Sequence, residues 1–258
     1  MSILDRFNLG EGFKRYFAVR PALSEVDRHK VYRIRHQVYC EELRWEAPRP
    51  SGEECDAYDQ HSLHCLMTRS DDQNNLVGCT RLVLPPLDDM NRPLPFERSC
   101  ADSIDRSIVD PSKLPRDSIA EISRLAVRAQ YRRRKGEDRQ ELPLSESEER
   151  DGDQQPRFPY IPLGLYMASV ALAHRKGIET LFVLTEPRLS SHFAKLGVEI
   201  IQIGTPIEHR GMRIPSMMRT SKIIKGLRFF MRPMYRAISE EVDRAIDASA
   251  VAGSSLPR

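Results

Sequence analysis

The sequence predicts an α/β (α+β) domain in three layers, α-β-α. Its central sheet is expected to be mixed and largely antiparallel, with helices on both faces. Three observations carry this. The expected elements run β-α-β-β-β-α-β-α-β-β, so hairpin-linked strands come first and helix-linked strands later. No G-x-G-x-x-G, G-x-x-x-x-G-K-[ST] or H-E-x-x-H motif occurs, which argues against doubly wound nucleotide folds, kinase-like proteins and metalloproteases. The 258 residues are 40% hydrophobic and 30% charged, a globular composition with room for one elaborated domain.

In chain order, Phe17, Ala18 and Val19 form a short strand that Pro21 ends. Ser24 followed by Asp27 starts a helix, and Val26, Val31, Ile34 and Val38 recur at helical spacing to about Glu42. Residues 45–59 hold Pro48, Pro50 and Gly52 and form an irregular loop. Residues 64–68 and 76–84 read as two strands around a polar hairpin. A long connection follows over 85–115, with a short helix around 96–104. Residues 118–127 return to strand character and enter a basic run, 128–135, closed by Gly136. Residues 137–157 are strongly acidic and lack aromatics, the composition of a mobile insertion. Residues 163–176 form a helix stopped by Gly177. A buried strand spans 180–185, a short helix 190–196 ends at Gly197, and 198–203 and 213–219 are the last strands.

Forty basic against 37 acidic residues leave +3, too balanced for a dedicated nucleic-acid binder. Within the basic set 32 are Arg and 8 are Lys, and Arg is the better bidentate partner for carboxylates and phosphates. The five cysteines are scattered and form no C-x-x-C pair, and the seven His residues show no ligand spacing, so no metal site is expected. His61 and His64 read as surface or hairpin residues. The charged N-terminus has no apolar signal core, and no apolar run reaches membrane-spanning length. The expectation is a reduced, cytoplasmic protein.

Strand 119–127 runs into Arg133, Arg134, Lys135 and Gly136, followed after the insertion by a helix. This resembles the GNAT acyltransferase pattern, whose strand-to-helix turn binds a pyrophosphate or phosphopantetheine. Glu137 stands where that pattern has a second glycine. Further positions resemble the acyl-homoserine lactone synthases and N-acyl amino acid synthases. These are Arg35, Tyr39 and Trp45, then the E-x-D-x-x-D loop of Glu54, Asp56 and Asp59, then Arg81, then the E-x-S-R strand of Glu121, Ser123 and Arg124. Tyr39 departs from the family's usual Phe. Ile178, Thr185, Gly197, Gly204 and Gly211 continue the similarity loosely, so it covers about residues 16–220. The insertion, the helix entry at 159–166 and Glu186-Pro187-Arg188-Leu189 resemble the exosortase/PEP-CTERM-associated acyltransferases most.

The resemblance implies a GNAT-like N-acyltransferase domain over residues 1–220. It would move a fatty acyl group from a thioester to the amine of an amino-acid-like acceptor. The co-substrate is an acyl-phosphopantetheine thioester, on acyl carrier protein or coenzyme A, with no permanently bound cofactor. Glu121 is the expected catalytic base, and Arg35, Tyr39, Trp45, Asp56, Asp59, Arg81, Ser123, Arg124 and Thr185 the acceptor-side network. Leu125, Val127, Arg132, Arg133, Arg134 and Gly136 are expected at the donor, with Arg128, Arg132, Arg133, Arg134 and Lys135 giving acidic acyl carrier protein a basic landing surface.

Physical reading leaves alternatives beside this. Three Arg with Asp56, Asp59 and Glu121 form a network that either builds the site or only pins the loop. Trp45, the only tryptophan, is either loop packing or a wall of the acceptor pocket. The acceptor's carboxylate would suit Arg35 or another Arg of the network. A non-catalytic GNAT-fold binding or scaffold protein is the rival reading, favoured by Glu137 and opposed by the complete Arg/carboxylate set. Residues 221–258 form a helical extension and tail. Ile223, Ile224, Leu227, Phe229, Phe230 and Met231 alternate there with Lys222, Lys225, Arg228 and Arg232. That pattern either lies on an anionic membrane surface or packs on its own domain, and residues 240–258 read as frayed.

Overall fold

A computed structural model describes residues 9–132 and 161–254, with the side chains at 188, 192 and 252–254 excepted. Helix α1 (Leu9–Tyr16) runs directly into strand β1 (Phe17–Pro21). Helix α2 (Glu25–Arg35) starts at Ser24, whose Oγ accepts the Asp27 N–H at 3.1 Å. It does not continue as an α-helix to Glu42. Residues His36–Glu42 form a π-helix, closed by the Leu43 N–H donating to the Val38 carbonyl.

Strands β2 (Ser62–Arg69) and β3 (Leu76–Val83) form the expected hairpin. The connection to β4 (Ile119–Val127) carries the short helix α3 (Pro95–Ser99). Beyond β4 come α4 (Ala129–Arg132), α5 (Ile161–Arg175), β5 (Thr180–Thr185) and α6 (Pro187–Lys195). Strands β6 (Ile201–Gln202), β7 (Ile207–Glu208) and β8 (Met212–Arg219) precede α7 (Thr220–Gly226) and α8 (Arg232–Ser254). The sheet order is β1-β2-β3-β4-β5-β8-β6, with β7 on β8. Among the described residues only β4 and β5 pair in parallel.

Side-chain alternation sends successive strand residues to opposite layers. Ala120, Ile122, Leu181 and Met218 join the largest apolar cluster with α1, α5 and α8. Ile119 and Phe182 point the other way, onto Phe96 of α3, and Cys79 and Ala126 face α2. Expected and observed layers agree.

Two further expectations are corrected, and one open alternative is decided. The strand over 198–203 shrinks to Ile201–Gln202, because only these residues pair with β8. The C-terminal pattern, left open between a membrane surface and its own domain, splits into two helices whose apolar side chains Ile223, Leu227, Met231, Met234 and Ile238 are buried in the main core, so these side chains pack on the protein's own domain. Residues 240–254 are helical, not frayed, consistent with the helix propensity of Ala245, Ala248 and Ala250. The acidic insertion and Arg133, Arg134 and Gly136 lie outside the described residues.

Gly197 closes α6 with φ +84, and a Cβ there would sit 2.3 Å from the Gly226 carbonyl oxygen. Gly197→Ala is therefore expected to lower stability by about 2–4 kcal/mol. Urea unfolding would show this as a lower midpoint at constant slope.

Candidate active site

The site begins where two strands part. β4 and β5 pair at Ile119↔Thr180, Ala120↔Leu181 and Glu121↔Phe182, and no further. Beyond Glu121 the two strands bound a cleft of about 330 Å³. Tyr39, Trp45, Asp56, Arg81 and Arg98 line it from one layer, and Tyr166 and Leu189 from the other.

Glu121 is the last residue of β4 paired with β5 and is 5% exposed. Its Oε2 accepts the Phe96 N–H at 2.7 Å. Among the described residues it joins no ion pair, so burial dominates and pushes its carboxyl up to about 7, against the downward pull of the Phe96 N–H and the nearby Arg81 and Arg124.

A β-bulge follows. Arg124 has φ +52, and the β3–β4 register shifts between Cys79 and Arg81. Ser123 and Arg124 therefore both reach the acidic loop's side of the sheet. Ser123 Oγ accepts Arg81 Nε at 3.2 Å, and Arg124 Nη2 donates to Asp56 Oδ2 at 2.9 Å.

The loop closes on itself first. Asp56 caps a short 3₁₀ turn by accepting the Tyr58 N–H, and Asp59 Oδ2 accepts the Asp56 N–H at 2.7 Å. The remaining oxygens face arginines. Arg35, fully buried, donates to Glu54 at 2.5 Å and to Asp59 at 2.6 Å. Arg81 Nη1 donates to Asp56 at 2.7 Å and to Asp59 at 3.0 Å. Burial would raise the Asp59 carboxyl, but Arg35 and Arg81 override it and hold it well below the ordinary range.

This differs from the expected network in one member. Glu54, 1% exposed, takes the place assigned to Glu121, which stands apart at the strand seam. Arg35 and Asp59 do not line the cleft, whereas Asp56, Arg81, Ser123 and Arg124 do. His64 is also not a surface residue. It is 2% exposed, its Nε2 lies 3.6 Å from Asp59, and burial pushes its imidazole down to about 3.

The π-helix sets the opposite wall. The Tyr39 carbonyl accepts the N–H groups of Trp45 and Glu46, folding the chain back so that the two rings stack at 5.7 Å and 16°. The Tyr39 hydroxyl donates to the Leu125 carbonyl at 2.9 Å. Tyr39→Phe keeps the stack and removes only that bond, so thermal denaturation should show a loss of about 1 kcal/mol or less.

On the donor side, Leu125 and Val127 line the cleft. Arg132 does too, but it is 5% exposed and donates to Glu42 Oε2 at 2.9 Å, so it offers no exposed landing surface. The same Glu42 oxygen accepts the Ala129 N–H at 3.0 Å. Thr185 does not reach the cleft, and its hydroxyl bonds across β5–β8 to Ser216 at 3.0 Å. Sequence reasoning did not find Arg98, Tyr166, Leu189, His209, Arg210 or Arg213, all lining residues. They come from elements whose approach to β4 leaves no local sequence signal. Among the described residues no group of three or more His, Cys, Asp or Glu is placed to hold a metal ion.

The fold has counterparts in solved structures. A CoA-dependent acyl-homoserine lactone synthase, BjaI, with SAM and isopentyl-CoA superimposes with a TM-score of 0.56 at 19% identity, covering 89% of each chain. FeeM, an N-acyl amino acid synthase from uncultured soil microbes, gives 0.53 at 13% identity over 82% of this chain and 94% of that one. The fold is of the GNAT type. The Acetyltransferase (GNAT) domain family matches residues 34–140, the stretch that holds most of the cleft wall and the β3–β4 half of the GNAT sheet. In sequence, the chain is 25% identical over 182 residues to an acyl-homoserine-lactone synthase of Aeromonas salmonicida, covering 68% of this chain and 70% of that one.

Proposed function

We propose that the protein is an N-acyltransferase that moves a fatty acyl group from a thioester to the amine of an amino-acid-like acceptor. One observation carries the reading: a buried carboxylate, Glu121, held by a single backbone N–H at the open strand seam and titrating near 7. A general base works best with a pKa near the working pH. Glu121 takes a proton from the acceptor ammonium, directly or through one water. The freed amine attacks the thioester carbonyl, the C–N bond forms, the C–S bond breaks, and the thiolate leaves to be protonated. Past Glu121 the edge of β4 has no partner on the β5 side, so its N–H groups are the proposed oxyanion donors.

The donor is an acyl-phosphopantetheine thioester, on coenzyme A or acyl carrier protein, laid along Leu125 and Val127. BjaI, a CoA-dependent synthase, supports the first carrier. The relatives are lactone and N-acyl amino acid synthases, and the proposal covers both product classes. The resemblance to the exosortase-associated group rests on the insertion and on residues 159–166 and 186–189 of the sequence alone. Incubating the protein with acyl-CoA or acyl carrier protein thioesters and an amine panel, read by mass spectrometry, tests the reading. N-acyl products are expected. Thioester binding without transfer to any amine would leave only a binding protein.

The acceptor's carboxylate needs a cation in the cleft. The proposal does not give this role to Arg35, which is buried on Glu54 and Asp59 and does not line the cleft. Arg124 is held by Asp56, Arg210 by Glu46, and Arg213 by Glu186. Arg98 is exposed, lies two residues from the Phe96 N–H that holds Glu121, and has no carboxylate partner among the described residues. Arg98→Gln is expected to raise the acceptor KM roughly 10- to 100-fold with little change in kcat. KM for the same acceptor without its carboxylate should not move.

A further inference from the structure

The C-terminal quarter of the chain carries a charge imbalance that the catalytic reading does not use. Residues 209–239 contain eight basic residues and no acidic one, in a chain whose total charge is nearly balanced. The apolar side of this stretch is already buried in the core, through Ile223, Leu227, Met231, Met234 and Ile238. What faces outward is a strip of exposed cations: Lys222, Lys225, Arg228, Arg232 and Arg236. Among the described residues none of Lys222, Lys225, Arg228 and Arg236 is in an ion pair.

The turn between α7 and α8 interrupts this strip. Phe229, at its tip, is 80% exposed and packs edge-on to Phe230 at 5.8 Å. The turn is braced from inside. Arg232 Nε donates to the Leu227 carbonyl at 3.1 Å, and the Arg228 N–H to the Leu196 carbonyl at 3.2 Å. A large ring is therefore held in water by a formed turn, next to cations that have no ion-pair partner among the described residues.

We infer that this turn docks the protein on an anionic lipid surface, with Phe229 entering the interface and the flanking cations meeting headgroup charge. Lysines and arginines near such a surface each add attraction, and an inserted apolar ring supplies the second signal that reversible anchoring needs. The ring decides between occupants. A headgroup layer takes both at once, charge at its surface and a ring just beneath it, and needs no shaped pocket for the ring. The contact is peripheral, since no helix among the described residues is long and apolar enough to cross a membrane. The inference does not depend on the acyltransferase reading.

Vesicle co-sedimentation of the full chain tests it, with phosphatidylcholine alone or with about one-third phosphatidylglycerol. Binding is expected only to the anionic vesicles, and about 0.5 M salt should release it. Phe229→Ser and the double variant Lys225→Glu/Arg228→Glu should each weaken binding by on the order of tenfold or more at unchanged melting temperature. The inference fails if the parent ignores anionic vesicles or if both variants bind them like the parent. It also fails if these variants lose affinity for acyl carrier protein and keep vesicle binding, which would make the strip a protein-docking surface.

Discussion

Glu121→Gln is expected to give a folded protein whose kcat is roughly 10²- to 10⁴-fold below the parent's. The amide keeps the size of the side chain and can still accept the Phe96 N–H, so what disappears is charge and basicity. Stability should move the other way. The buried carboxyl is raised to about 7 from an ordinary value of 4.5, so between these two values the folded state holds a proton that the unfolded state has lost. Folding is then progressively disfavoured as pH rises from about 4.5 to 7, by about 3 kcal/mol in all, and the penalty stays constant above that. The glutamine variant lacks this penalty. At pH 8 its melting temperature should equal or exceed the parent's, while at pH 4 the two should converge. The parent's kcat should rise with pH through about 7 as the base ionises. A destabilised glutamine variant at pH 8 would make Glu121 a strut, and a stable one with normal turnover would remove it from the chemistry.

The second large effect lies one layer deeper. Arg35→Met removes the cation between Glu54 and Asp59 and leaves two buried carboxylates facing each other's neighbourhood. Removing one partner of a buried pair typically destabilises by about 3–5 kcal/mol. Adding Glu54→Gln should recover part of the loss, and the coupling between the two changes, read from chemical denaturation, measures the pair. If the double variant is no more stable than Arg35→Met, the ion pair is not what the loop depends on. Asp59 adds a pH signature opposite to that of Glu121. Its depressed carboxyl contributes stability that is present above the ordinary carboxylate range and is lost as pH falls through and below it. Asp59→Asn should flatten the acid limb of the stability profile, which Glu121→Gln should leave in place.

How far the sequence could be read depends on whether a residue's role is local. Glu121, Ser123 and Arg124 were legible as an E-x-S-R motif on one strand, although only the bulge at Arg124 brings two consecutive residues to one side. Asp56 and Asp59 were legible as members of an acidic loop, but the capped turn they form was not. Glu54 was quoted with them yet not placed in the network, because its contact with Arg35 depends on how the loop folds back along α2. Arg132 was misread for the same reason. Its partner Glu42 lies on a different layer, ninety positions earlier. The C-terminal helices show the limit most plainly. Alternating cations and apolar residues mark an amphipathic surface, and nothing in that pattern says that the surface it covers is the protein's own.

The π-helix at His36–Glu42 bears on what a one-residue deletion would do. Such a turn amounts to an α-helix carrying one surplus residue. In a regular helix Arg35 and Tyr39, four apart, would share a face. Here Arg35 points into the carboxylates while Tyr39 reaches the cleft and, with Glu42, holds the edge of β4. Excising one residue between them would restore regular winding and swing the downstream side chains out of phase with their partners. Circular dichroism would report the same helix content, and the lesion would be one of angular register alone.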